Sequence, residues 1–178
     1  MIRRPALAAL ATALALLAAQ APAADAPHSG DNRDRTSGMG LTALVTREVA
    51  NGLRVDLDRC AITAADFRFD CYKYAFRLAS NGVDGNPAYG VAQAAFDGAD
   101  KALRVAVREN VDRARLPKLF GLQMYRPVLP QTEAQMTVLL DAVFDAVETQ
   151  LLSAPDQVGD HFQLLAAAVA SGRPGASF

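Results

Sequence analysis

The groups in this chain equipped to crosslink, coordinate or catalyse are few: two cysteines, two histidines and a scatter of carboxylates. Cys60 and Cys71 are the only thiols. Their spacing is not that of a CxxC dithiol, so catalytic redox exchange is not expected of them. In an oxidising compartment an even cysteine count reads as a disulfide. The loop so closed, about a dozen residues, corresponds to about 3 kcal/mol of chain-entropy stabilisation. A single continuous helix would hold the two Cα atoms ~16 Å apart, whereas a disulfide needs them within ~7 Å. Either the chain turns sharply between them or the thiols stay unpaired. Ala61-Ile62-Thr63 is the expected turn, with Thr63 as cap of the helix that follows.

His28 lies in a polar N-terminal stretch and His161 near the start of the last helical pattern. The chain contains no HExxH, GxSxG, P-loop or GxGxxG, and no CxxCH for covalent haem. Met39 and His161 are weak candidates for axial haem ligands, because helical bundles take such ligands from facing helices. The ordinary reading of His161 is a histidine on a helix flank. It is also the one base available to an unrecognised hydrolase, but no serine partner is signalled. Asp56, Asp58, Asp66 and Asp70 are carboxylates close enough in sequence to suggest a cation site. Acids complementing a helix dipole and solvated charges are the simpler account. No catalytic residue, cofactor or metal site is assigned, and the balance leans away from an enzyme.

The aromatic group Phe67, Phe69, Tyr72, Tyr74 and Phe76 covers more than one face of a helix. A single core stripe cannot absorb all five, so some pack under a neighbouring segment or face outward. An outward set would be a binding patch. Phe69, Tyr72 and Phe76, completed by Tyr125 and Arg126, form the candidate binding surface. Lys101, Arg104, Arg108 and Arg115 make a basic stripe suited to an anionic partner or lipid headgroups. Asp97, Asp100, Glu109 and Asp112 interleave with it. The i,i+4 pairs Asp97–Lys101, Asp100–Arg104 and Glu109–Arg113 favour a salt-laced solvent face.

These residues must be positioned by helices. Leu41, Leu44, Val45 and Val49 begin a helical pattern that Asn51-Gly52 either ends or interrupts. Residues 53–58 alternate like a strand but also continue that helix through Leu53, Leu57 and Cys60. Residues 64–80 form the second helix. A disulfide-clamped β-hairpin at 53–74 is the rival reading. Asn86 and Pro87 open the third helix, whose seam Tyr89, Ala92, Phe96, Ala99, Leu103, Ala106, Asn110 alternates large residues with alanine. Residues 116–131, with three prolines, form an ordered crossover. Thr132 and Gln135 read as a capping box opening a fourth helix with the stripe Met136, Leu140, Val143, Val147, Leu151. A fifth, from about Asp156 to Ser171, buries Val158, Phe162, Leu165 and Val169 and stops at Gly172. The expected fold is all-α: an antiparallel four- to five-helix bundle with one disulfide.

The N-terminus reads as an address. Arg3 and Arg4 precede an apolar run from Ala6 to Ala19, and Ala21-Pro22-Ala23 places small residues for cleavage. This pattern is that of a secretory signal peptide. At ~14 residues, or ~21 Å as a helix, the run falls short of a ~30 Å bilayer core. The paired arginines leave the twin-arginine route as a minor alternative to the general secretory one. The organisation expected is therefore a signal peptide at 1–23, a flexible leader at 24–38, a helical domain at 39–172 and a frayed tail at 173–178. Arginine outnumbers lysine and about a fifth of the chain is alanine, a composition that suits a GC-rich bacterial genome and a periplasmic or secreted location.

The whole chain carries 18 Lys+Arg against 19 Asp+Glu, a formal charge of −1 over 178 residues. Cleavage after residue 23 removes two arginines and leaves 155 residues at −3. Such a balance gives no electrostatic basis for nucleic-acid binding. The length suits one domain. The expected role is a non-enzymatic periplasmic module that binds a protein, a small ligand or the envelope, with no membrane span and no assigned oligomeric state.

Overall fold

The computed structural model describes residues 40–155 and 159–174. The signal-like segment, the leader with His28, Met39, Val158 and the end of the tail lie outside the described residues.

Among the described residues the chain forms α1 (Ala43–Ala61), α2 (Ala65–Asn81), α3 (Gly90–Asn110), α4 (Glu133–Leu152) and α5 (Gly159–Ser171), with β1 (Lys118–Phe120) and β2 (Gln123–Tyr125) between α3 and α4. The fold is mainly α, as expected. The rival hairpin at 53–74 does not form: its residues lie in α1 and α2. Val49, Leu53, Leu57 and Cys60 fall on one helical face and are all buried. Each buried leucine contributes about 1.5–3 kcal/mol, which outweighs the ~1 kcal/mol penalty of Gly52 inside the helix. α1 therefore runs through Asn51-Gly52. Thr42 caps it, its hydroxyl accepting from the Val45 N–H at 3.2 Å.

The chain turns at Ile62-Thr63, and the Cys60–Cys71 disulfide clamps the corner with its Cα atoms 5.5 Å apart. Thr63 does not cap α2. Its hydroxyl turns back and donates to the Arg59 carbonyl at 2.9 Å, while Ala64 holds the cap position without a side-chain bond. The capping box at the start of α4 is also absent: the Thr132 hydroxyl donates to the Leu129 carbonyl at 2.8 Å. In both cases a threonine hydroxyl finds a carbonyl in the preceding turn before it reaches a helix N–H. Asn86 behaves as expected, accepting from the Ala88 N–H at 3.1 Å ahead of a 3-10 turn at Pro87–Tyr89.

The α3 seam from Tyr89 to Ala106 is buried throughout. The α4 stripe is likewise buried and gains Phe144. Each helix packs on its neighbours in sequence, and α5 returns to pack on α1, closing a ring. α1 and α2 run antiparallel, with Val49 against Gly82 at one end and the disulfide at the other. A ring of five cannot alternate throughout. The parallel pair is α5 with α1: His161 meets Thr46 near their starts, and Gly172 meets Leu57 near their ends. A Cβ at Gly172 would lie 2.3 Å from the Leu57 Cβ, so glycine here serves close approach. α2 also crosses to α4 through Tyr72 and Phe76, whose rings meet Phe144 at 5.6 and 5.5 Å.

The crossover holds a short hairpin that the sequence patterns do not signal. Lys118 pairs with Tyr125, Leu119 with Met124 and Phe120 with Gln123. Gly121 has φ +61 and Leu122 no positive φ, the sign pattern of a type II′ turn with glycine first. Arg173, assigned by sequence to a frayed tail, is instead anchored: it bonds Asp145 and Glu148 at 2.6 and 2.8 Å and lies over the Phe144 ring. The two carboxylates push its already high pKa further up, hydrogen bonding with Glu148 contributing most.

Candidate functional site

Of the five residues proposed as a binding surface, four are core. Phe69, Tyr72, Phe76 and Tyr125 are all buried, and only Arg126 is exposed. α2 touches α1, α3, α4 and β2, and a helix enclosed on that many sides buries apolar residues around most of its circumference. Burial pushes the Tyr72 phenol up to about 12. Arg126, with the buried Tyr125 behind it, lines a groove between α2, α3 and the hairpin, about 500 Å³ in volume.

Asp70 organises this groove. It is 2% exposed, and its carboxylate receives the Lys73 ammonium and, at 2.9 Å, the backbone N–H of Arg126. One acid on α2 thus holds both a groove cation and the strand that leaves the hairpin. The hairpin is further tied down by the Val128 N–H donating to the Asp66 carbonyl and by the Asp112 N–H donating to Pro127, each at 2.8 Å. Phe120 stacks on Tyr125 with centroids 5.3 Å apart and leans on Phe67 at 5.6 Å. Burial pushes the Tyr125 phenol above its ordinary range, with Arg59 opposing and Asp56, Tyr74 and Asp70 adding to the rise.

Lys73, Arg77, Arg104 and Arg126 line the groove against the single carboxylate of Asp70. Arg104 is partnered by the buried Asp100. Arg77 lies 4.7 Å from the Tyr74 ring centroid. Among the described residues no carboxylate pairs with the Arg77 or Arg126 guanidinium. Two unpaired guanidinium groups, one beside the Tyr74 ring, can engage an acidic group bidentately. Lys73, Tyr74 and Arg77 are the members that sequence reasoning missed. Their signal was present in two like charges at i,i+4 on α2, a repulsive spacing with no acid interleaved at those positions.

The remaining candidates disperse. Asp56 pairs with Arg59, Asp66 with Arg115 and Asp70 with Lys73, and Asp58 is exposed, so the four acids proposed as a cation site do not form a cluster among the described residues. Desolvation raises the Asp56 pKa and Arg59 opposes it. Of the three i,i+4 pairs on α3, Asp100–Arg104 forms, while Asp97 accepts the Ser80 hydroxyl at 2.5 Å. Residues 81–86, between α2 and α3, turn around Gly85, φ +75. Met39 lies outside the described residues. His161 is held in a hydroxyl cluster: its Nδ1 lies 2.6 Å from the Thr46 hydroxyl, which is 2.7 Å from that of Tyr89. Both Thr46 and Tyr89 are buried. The cluster ties the starts of α1, α3 and α5 together, and a threonine hydroxyl occupies the ring nitrogen at which a triad histidine carries its carboxylate.

Comparison of the chain with known protein families, with curated proteins and with solved structures returns no match.

Proposed function

We propose that the protein is exported to the cell envelope and acts there as a non-enzymatic binding module, with the groove between α2, α3 and the hairpin as its recognition site. The observation that carries this reading is the pair of guanidinium groups, Arg77 and Arg126, that share a groove with Tyr74 and Tyr125 and have no carboxylate partner among the described residues. Of the four cations there, Lys73 is matched by Asp70 and Arg104 by Asp100, which leaves two guanidinium charges unmatched in a chain of net charge −1. Such an arrangement is costly in self-repulsion unless an anion relieves it. The ligand class is a molecule with a phosphate or carboxylate group. Export is supported by the charged, apolar and small-residue order of residues 3–23 and by the disulfide. Among the described residues no helix is long and apolar enough to cross a membrane.

Calorimetric titration with inorganic phosphate, glycerol phosphate and acetate tests the site. Binding of at least one anion is expected, weakened about ten-fold or more in the Arg77→Gln/Arg126→Gln variant. Unchanged binding in that variant defeats the assignment. The mature protein is expected to begin at Ala24, and an intact mass that retains residues 1–23 would defeat the export half.

A further inference from the structure

The hairpin beside the groove carries a second surface. Leu116, Leu119, Leu122 and Met124 are 86, 64, 95 and 57% exposed. Directly paired residues on neighbouring strands share a face. Phe120 and Tyr125 face inward, where they stack, so the Leu119–Met124 pair faces outward. Gly121 turns the chain and leaves Leu122 at the apex. These side chains do not ride on a loose loop. The Asp70–Arg126 bond, the Val128 and Asp112 backbone bonds and the Val111–Val128 bridge fix their mount. Rigidly presented leucines are unfavourable in water and stabilised on entering an apolar phase.

The charge around them is one-sided. Residues 113–126 contain Arg113, Arg115, Lys118 and Arg126 and no acid, in a chain that has 19 acids elsewhere. Arg115 is matched by Asp66. Met124 and Pro117 also line the groove, so the apolar hairpin and the unpaired guanidinium groups of Arg77 and Arg126 adjoin.

We infer that this face docks peripherally on an anionic lipid bilayer, with the hairpin leucines entering the interface and the groove cations meeting lipid phosphate. The inference rests on the groove reading for its headgroup half. Lipid is favoured over an acidic protein by the residue types. Protein interfaces concentrate their energy in Trp, Tyr and Arg, with Leu under-represented. Leucine beside arginine and lysine is the composition of interfacial membrane anchors. An apex as exposed as Leu122 also suits a fluid phase, which needs no complementary pocket.

The test is vesicle co-sedimentation of the protein as the cell accumulates it, with equal parts phosphatidylglycerol and phosphatidylcholine compared with phosphatidylcholine alone. Binding about ten-fold or more stronger to the anionic vesicles is expected, falling as salt rises. Leu119→Ser/Leu122→Ser should lower it by about ten-fold or more while the circular dichroism stays unchanged. Absence of vesicle binding by the folded protein, or vesicle binding unchanged in the leucine variant, overturns the docking surface. Binding of free glycerol phosphate by a protein that does not bind vesicles identifies a soluble ligand: the groove reading then stands and the membrane reading falls. Leucine-dependent vesicle binding that ignores Arg77→Gln/Arg126→Gln supports docking and removes the groove from it.

Discussion

Asp70 shows how much one side chain can hold in place. Burying a carboxylate costs several kcal/mol unless the charge is paired and its lone pairs are used. Lys73 and the Arg126 N–H meet both conditions. Removing the acid strands a part-buried ammonium and a backbone donor together. Asp70→Ala is expected to destabilise the protein by about 2–3 kcal/mol in denaturant unfolding. Asp70→Asn keeps an oxygen acceptor for the Arg126 N–H and loses only the ion pair, so it should cost about 1 kcal/mol. Equal costs for the two variants would mean that the backbone bond contributes nothing. The same residue shows why the site was only partly legible. Asp70 reads in sequence as one acid in a loose group, and only its contact with residue 126, across 56 positions, makes it a keystone. Arg126 was legible as a site member because a proline-rich crossover offered a charged residue no core position, whereas Tyr125, read the same way, is buried against Phe120.

At the scale of elements, the α1–α2 pair and the hairpin make opposite cases. Given that the two thiols pair, the corner at Ile62-Thr63 follows from helix rise and cysteine spacing. Breaking that bridge frees a loop of about a dozen residues in the unfolded chain. Reduction is expected to lower stability by about 3 kcal/mol, measured as a shift in unfolding midpoint with and without reductant. An unchanged midpoint would show that packing of Leu53, Leu57 and Phe67 holds the corner without it. The α3 seam was legible because a 3-4 alternation over six turns admits no strand reading. The hairpin was not legible, because each strand is three residues long and the outward face carries Leu119 and Met124 in place of polar residues. Hydrophobic alternation cannot flag a strand whose solvent face is apolar. That misfit between pattern and exposure is itself the signal for the docking surface.

At the scale of the whole molecule, closure of the ring depends on groups that join elements distant in sequence. Tyr72 of α2 sets its ring edge-on against Phe144 of α4, and its hydroxyl donates, at 3.5 Å, to the Gly172 carbonyl that follows α5. Ionising it would place a phenolate inside the core and against a carbonyl. Desolvation raises its pKa from 10.0 to about 12, with Arg68 opposing and Asp58 adding to the rise. Below pH 10 both folded and unfolded chains keep the proton, and the stabilisation is fully present. Between 10.0 and about 12 the unfolded chain releases it first, so the unfolded state binds fewer protons and stability falls with pH. Stepwise unfolding across this window should show that fall. Tyr125, raised in the same direction, adds to it, so the decisive measurement is the difference between the wild type and Tyr72→Phe. The variant should be less sensitive to alkali across the window, and the phenolate absorbance that Tyr72 adds late in the folded wild type should be missing from it. Parallel pH profiles for the two proteins would mean that Tyr72 ionises without opening the ring, and that α2, α4 and the end of α5 separate elsewhere first.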